Sequence, residues 1–169
     1  NNDTNGRELF LTNGTDTGTF MLKDINIAGA SNPSGFTVLD TLLFFSADDG
    51  MHGMELWVTN GTAEGTRMLK DINQVAGGSS FPTGFTVLDG KLYFKANDIV
   101  HGYELWTTDG TENGTYMVKD INPAPGAGSI VSQFMVYGNK MYFKIETDTI
   151  AQQLWVSDGT NTGTQVQKD

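Results

Sequence analysis

Apolar and polar positions alternate along this chain in short bursts, and the bursts recur. Across residues 52–100 they read MELWVT (54–59), TRMLKDI (66–72), GFTVLD (84–89) and KLYFKA (91–96), separated by Gly, Asp, Asn, Ser and Pro. A two-residue period carried by β-branched and aromatic residues marks strands, and no segment sustains a helical period. INIAGASNPSG, INQVAGGSSFPTG and INPAPGAGS are the loops between hairpins. The pattern predicts an all-β chain.

The first hairpin of each period can be worked out residue by residue. Its loop reads Thr, Asn or Asp, Gly, Thr, two variable residues, Gly, Thr. Asn60 or Asp109 is expected to accept backbone N–H bonds two or three residues on, and Gly65 or Gly114 to supply the positive φ that returns the chain. If Thr59 faces Thr66, then Trp57 faces Met68 and Glu55 faces Lys70. The same rule predicts cross-strand pairs Glu8–Lys23, Glu104–Lys119 and Gln153–Lys168. The other face pairs Leu56 with Leu69 and Leu105 with Val118, so both faces are apolar and each sheet must lie between neighbours. In the second hairpin Asp89-Gly90 is a two-residue turn that sets Leu88 opposite Lys91, Val87 opposite Leu92 and Phe85 opposite Phe94.

The phrase HGMELWVTNGTAEGTRMLKDIN (52–73) returns as HGYELWTTDGTENGTYMVKDIN (101–122), with RELFLTNGTDTGTFMLKDIN (7–26) and QLWVSDGTNTGTQVQKD (153–169) as cousins. Glu8, Glu55, Glu104 and Gln153 stand 47, 49 and 49 residues apart. A fixed period in this range signals a propeller, solenoid or array. The expectation is one repeat array over 1–169, with phrases beginning near 5, 52, 101 and 150. Four first hairpins and three second hairpins make fourteen strands, or three and a half four-stranded antiparallel blades of about 48 residues. A β-propeller or propeller-like array fits this count best; an open stacked β-array is the alternative, then a sandwich. Open sheet ends are templates for strand addition, which predicts self-association into an oligomer or an extracellular filament.

ELWVTNGTAEGT, ELWTTDGTENGT and QLWVSDGTNTGT resemble the ELW–DGT repeat family. The resemblance covers nearly the whole chain. It implies a large secreted or cell-surface protein, mainly bacterial, with a propeller-like array and no established enzyme activity, cofactor or catalytic residue. The first copy departs with Phe10 in place of tryptophan. The last has Gln153 in place of glutamate, and Ile150-Ala151 where two copies have His-Gly.

Charge and composition narrow the function. Twenty acidic against ten basic residues give a net charge of −10, which argues against nucleic acid and anionic membrane surfaces as partners. The absence of cysteine removes disulfides, thiolate metal sites and cysteine nucleophiles. No apolar run reaches the ~20 residues of a membrane span. The chain opens in mid-phrase with NNDTNG and has neither an initiator methionine nor a signal peptide, as a processed form or a piece of a longer protein would.

Candidate chemistry is sparse. His52 and His101 share a phrase position as a metal ligand or acid–base pair, but a loop histidine bonded to backbone explains them better. Asp48, Asp49 and Asp98 offer oxygen ligands to calcium, without the spacing of a 12-residue calcium loop, and turn chemistry is favoured. No other cofactor is expected. Trp57, Trp106 and Trp155 can form a sugar-stacking platform or pack between blades, and packing is favoured. Asn2, Asn13, Asn60 and Asn113 head Asn-x-Thr sequons for N-glycosylation. No carboxylate pair, nucleophile motif, phosphate loop or zinc motif is identifiable. The expected function is a non-catalytic secreted or cell-surface protein with a structural or adhesion-type role and a glycan or protein ligand. The alternatives are a filament subunit and a carbohydrate-binding propeller lectin.

Overall fold

The computed structural model describes residues 6–124, 128–147 and 152–167. Among these are fourteen strands and no helix, the number that the hairpin count predicts. The fold is all-β: tandem four-stranded antiparallel sheets of the kind that form propeller blades. The chain divides into two compact units, Asn1–Ser80 and Phe81–Asp169.

In the first unit β1 (Leu9–Thr12) and β2 (Thr19–Lys23) form a two-stranded sheet. β3 (Ser34–Leu39), β4 (Leu42–Asp48), β5 (Met54–Thr59) and β6 (Arg67–Lys70) form a four-stranded sheet in sequence order. The second unit holds two such sheets. One is β7 (Thr83–Leu88), β8 (Lys91–Asn97), β9 (Tyr103–Thr108) and β10 (Tyr116–Lys119). The other is β11 (Ile130–Tyr137), β12 (Lys140–Glu146), β13 (Gln153–Ser157) and β14 (Gln165–Val166). Each four-stranded sheet therefore crosses a phrase boundary. The inner hairpin that ends one phrase (β3–β4, β7–β8 or β11–β12) pairs with the outer hairpin that opens the next.

Phe44, Phe45, Ser46 and Ala47 are buried in succession along β4, as only a strand covered on both faces can be. In the first unit Phe45, Ala47 and Trp57 pack with Leu9 and Ile25, so the two sheets share one core. In the second, Leu88, Tyr93 and Leu105 pack with Val131, Met141 and Phe143. Each fully buried phenylalanine contributes roughly 2–3 kcal/mol.

The inner hairpins carry two devices, of which the second recurs in all three. Asp89 and Gly90 both have positive φ, 48° and 68°, as a type I′ turn requires, and Leu88↔Lys91 and Val87↔Leu92 pair as expected. A bulge then interrupts each inner ladder, at 34–37, 83–86 and 132–135. Its positive-φ residue is Gly35, Gly84 or Gln133. The bulge brings Phe85 beside Phe94 diagonally, with ring centroids 5.8 Å apart, rather than directly opposite.

The outer loop is largely as expected, with one correction. Thr59 and Thr66 hydroxyls meet at 2.7 Å, and Asn60 Oδ1 accepts from Thr62 N–H at 3.1 Å. The positive φ, however, belongs to Gly61 (88°) and Gly110 (91°), not to Gly65 and Gly114. Gly65 and Gly114 are glycine because a Cβ there would overlap the Asn60 or Asp109 side chain.

Candidate functional site

The recurring polar residues converge where the loops meet the start of each outer hairpin. Glu55 is the second residue of β5 and is wholly buried. Its carboxylate accepts from Ile72 N–H (3.0 Å), Asn73 N–H (3.4 Å), Ser80 N–H (2.9 Å) and the Ser80 hydroxyl (2.6 Å). Glu8 does the same with Ile25 N–H (2.8 Å), Ser31 N–H (2.9 Å) and the Ser31 hydroxyl (2.7 Å). Glu104 accepts from Ile121 N–H (3.0 Å) and Asn122 N–H (3.4 Å). Each glutamate is thus a clasp that ties down the long loop between blades. Burial pushes Glu55 above the usual carboxylate range against the pull of these donors, and pushes Glu104 up to about 7.

The expected glutamate–lysine pairs are therefore corrected. A bulge between Leu56 and Trp57 keeps Trp57 opposite Met68 but places Leu56, not Glu55, opposite Lys70. Leu9↔Lys23 and Leu105↔Lys119 repeat the shift, which also displaces the expected Leu56–Leu69 and Leu105–Val118 pairs. Lys23 instead donates to the carbonyls of Ala63 (3.2 Å) and Thr66 (2.6 Å), in the next outer loop. Lys119 donates likewise to Asn161 (3.3 Å) and Thr164 (2.8 Å). The partner expected for Gln153, Lys168, lies outside the described residues, and Gln153 accepts from Trp155 Nε1 at 3.3 Å.

His52 and His101 each close an Asp-x-x-His turn. Asp49 accepts from His52 N–H (2.8 Å) and meets its Nδ1 at 2.7 Å; Asp98 and His101 repeat both contacts at 2.8 and 2.7 Å. The side-chain bond to the aspartate raises both histidines above their ordinary value. Burial pushes Asp49 up, but the hydrogen bonds from His52 and Met51 outweigh it and hold the carboxyl low. Asp48 accepts from Gly50 N–H at 2.7 Å. The three aspartates weighed as calcium ligands thus all have turn partners, and no group of three or more metal-ligating side chains converges among the described residues.

Sequence reasoning passed over Asp71 and Asp120 of the recurring KDIN. Their charges help raise His52 and His101, and each has a buried Oδ1 without a hydrogen bond. The signal was their recurrence beside the lysine. Aspartate, histidine and glutamate thus recur as a neighbourhood whose buried carboxylate is hydrogen-bonded to backbone amides.

Trp57 and Trp106 are buried and offer no open face for a sugar, while Trp155 is half-buried with Lys119 Nζ 6.0 Å from its ring centroid. Asn13, Asn60 and Asn113 lie exposed on outer loops, and Asn2 lies outside the described residues. Asn13 and Asn60 bond their own turns, whereas Asn113 occupies the variable position held elsewhere by Thr17, Glu64 and Thr162.

Fold and site together define a tandem array of propeller-like β-sheets. No family model matches the chain, and no curated protein matches it. Among solved structures it is similar to an alpha-L-arabinofuranosidase from Clostridium thermocellum, at 15% identity and a TM-score of 0.38. That similarity covers 83% of this chain and 51% of the other, so the chain spans about half that protein's length.

Proposed function

We propose that this chain is a non-catalytic repeat scaffold of a secreted or cell-surface protein, with a structural, adhesion-type role. One observation carries the reading: several of the recurring polar residues are bound up in the fold itself. Glutamates clasp loops, lysines cap neighbouring loops, and Asp-x-x-His closes turns. The resemblance to ELW–DGT repeats supports an extracellular setting. The buried Trp57 and Trp106 weigh against a lectin that stacks sugars on them.

The test is a panel of polysaccharide and aryl-glycoside substrates, arabinofuranosides included, assayed on the intact chain and on an Asp49→Asn/His52→Gln variant. No turnover is expected from either. Turnover that disappears in the variant would overturn the reading. If the source cell glycosylates Asn-x-Thr, peptide mass mapping should find Asn113 the most occupied site, since its side chain lies outside the turn that Asn13 and Asn60 build.

A further inference from the structure

A cavity of about 360 Å³ opens between the inner strands β7 and β11 of the second unit, at the lower end of the volumes that hold small ligands. Both strands bulge there, at Gly84 and at Gln133. The Phe134 ring forms one side and lies against Gly84, where a Cβ would come within 2.5 Å of it. Thr83, Lys95, Ser132 and Gln133 also line the cavity. Two of these residues depart from their counterparts in the repeat. Gln133 holds a left-handed φ of 58° where Gly35 and Gly84 hold 71° and 74°. A side chain disfavours that backbone, and such outliers concentrate where the side chain is used. Lys95 and Lys144 stand 49 residues apart at the same repeat position. Lys144 pairs with Glu146 at 3.6 Å, but Asn97 stands where Lys95 would need that acid. Among the described residues Lys95 has no carboxylate partner, and its Nζ rests 4.7 Å from the centroid of the Tyr103 ring. The Thr83 and Ser132 hydroxyls and the Gln133 carboxamide likewise bond to no protein group among the described residues.

From this chemistry we infer that the cavity between β7 and β11 binds a uronic acid, a sugar with one carboxylate. The inference rests on the non-catalytic reading, names its ligand and places the sugar away from the tryptophans. Lys95 supplies the charge for the carboxylate. Thr83 lies directly opposite Lys95 in the β7–β8 ladder, so a hydroxyl stands beside that charge. Thr83, Ser132 and Gln133 offer both donors and acceptors, the complement of sugar hydroxyls. Phe134 offers an apolar wall to the C–H face of the ring. A single cation suits a single negative charge, and the net charge of −10 opposes ligands that carry several. A bare inorganic anion would leave the Gln133 carbonyl and the hydroxyl oxygens with no hydrogen to accept.

The probes are sodium D-glucuronate and D-galacturonate, titrated to about 20 mM against the intact chain at constant ionic strength while NMR follows the amide shifts. Saturable shifts at Thr83, Gly84 and Gln133 are expected with at least one of them, with a dissociation constant of order 1 mM for a ligand of this size. D-Glucose, D-galactose and acetate should each bind at least about tenfold more weakly, since each lacks the carboxylate or the hydroxyls. Lys95→Met should weaken uronate binding at least about tenfold, and Lys144→Met should leave it unchanged. Gln133→Gly should weaken it at least about threefold while raising the melting temperature, so that the loss is not one of folding. No saturable shift with either uronate, equal binding of the neutral sugars or of acetate, or binding that survives both Lys95→Met and Gln133→Gly would overturn the inference. Glycoside turnover would overturn the non-catalytic reading and leave a measured uronate affinity standing, so the two failures are distinguishable.

Discussion

Removing the Glu55 carboxylate should cost more than any surface change, and the structure sets the amount. Four donors converge on it: three backbone N–H groups and one hydroxyl. Ser80 keeps a second acceptor, since its N–H and hydroxyl also reach the Met54 carbonyl at 3.0 and 3.5 Å. Ile72 N–H and Asn73 N–H would be left in the interior without a partner. At ~1–3 kcal/mol for each buried orphan, set against relief of a buried charge, Glu55→Ala should destabilise by about 3–4 kcal/mol. Glu55→Gln keeps one acceptor oxygen but turns an amide toward donors, and should cost about half as much. Urea unfolding followed by tryptophan fluorescence measures both. A double-mutant cycle then separates the clasp from a cross-strand ion pair. Glu55 with Ser80 should couple by ~1–2 kcal/mol, and Glu55 with Lys70 by less than about 0.3. A Glu55→Ala cost below about 1 kcal/mol, or a Lys70 coupling above it, refutes the reasoning.

Other expectations follow from the same geometry. Gly61→Ala should cost ~1 kcal/mol in any background because its φ is 88°, whereas the cost of Gly65→Ala should largely vanish when Asn60 is also truncated to Ala; urea midpoints of the four variants decide. Gln133 holds φ 58° at a bulge where its counterparts are Gly35 and Gly84, so Gln133→Gly should stabilise by roughly 0.5–1 kcal/mol, read as a rise in melting temperature. Glu104 is raised from 4.5 to about 7, so the fold retains a proton that the unfolded chain has lost; its contribution is complete below pH 4.5 and is lost as pH rises through about 7. Stability measured across that window should fall with pH, and Glu104→Gln should flatten the slope. His52 and His101 should titrate above 6.5 by NMR, and Asp49→Asn should lower His52 alone.

Much of this architecture was legible because it depends on period and turn chemistry. The fourteen strands, the Thr59–Thr66 contact, the Trp57–Met68 register and the Asp89-Gly90 turn all follow from local rules. The pairing that failed did so at a bulge. A bulge after Leu56 shifts the ladder by one residue, so a pairing counted outward from the loop holds at Trp57 and fails at Glu55. The true partners of Glu55, Ser80 and two loop amides, lie 17–25 residues away, beyond the reach of a hairpin rule. Gly65 and Gly61 are both glycine for reasons that composition does not distinguish: one lies under a side chain, the other takes a left-handed backbone. The partition into sheets depends on which hairpin pairs with which, and a repeat leaves that phase open.

Native-state amide exchange at the clasped positions tests the central claim, that the recurring phrase is scaffold, most directly. Ile25, Ser31, Ile72, Asn73, Ser80, Ile121 and Asn122 lie in loops outside every strand. If buried glutamates hold their N–H groups, they exchange as slowly as strand amides of β4 and β5, and Glu55→Gln speeds Ile72 and Asn73 without affecting Ile25 and Ser31. Exchange at the rate of the exposed loop residues 74–77 would contradict it.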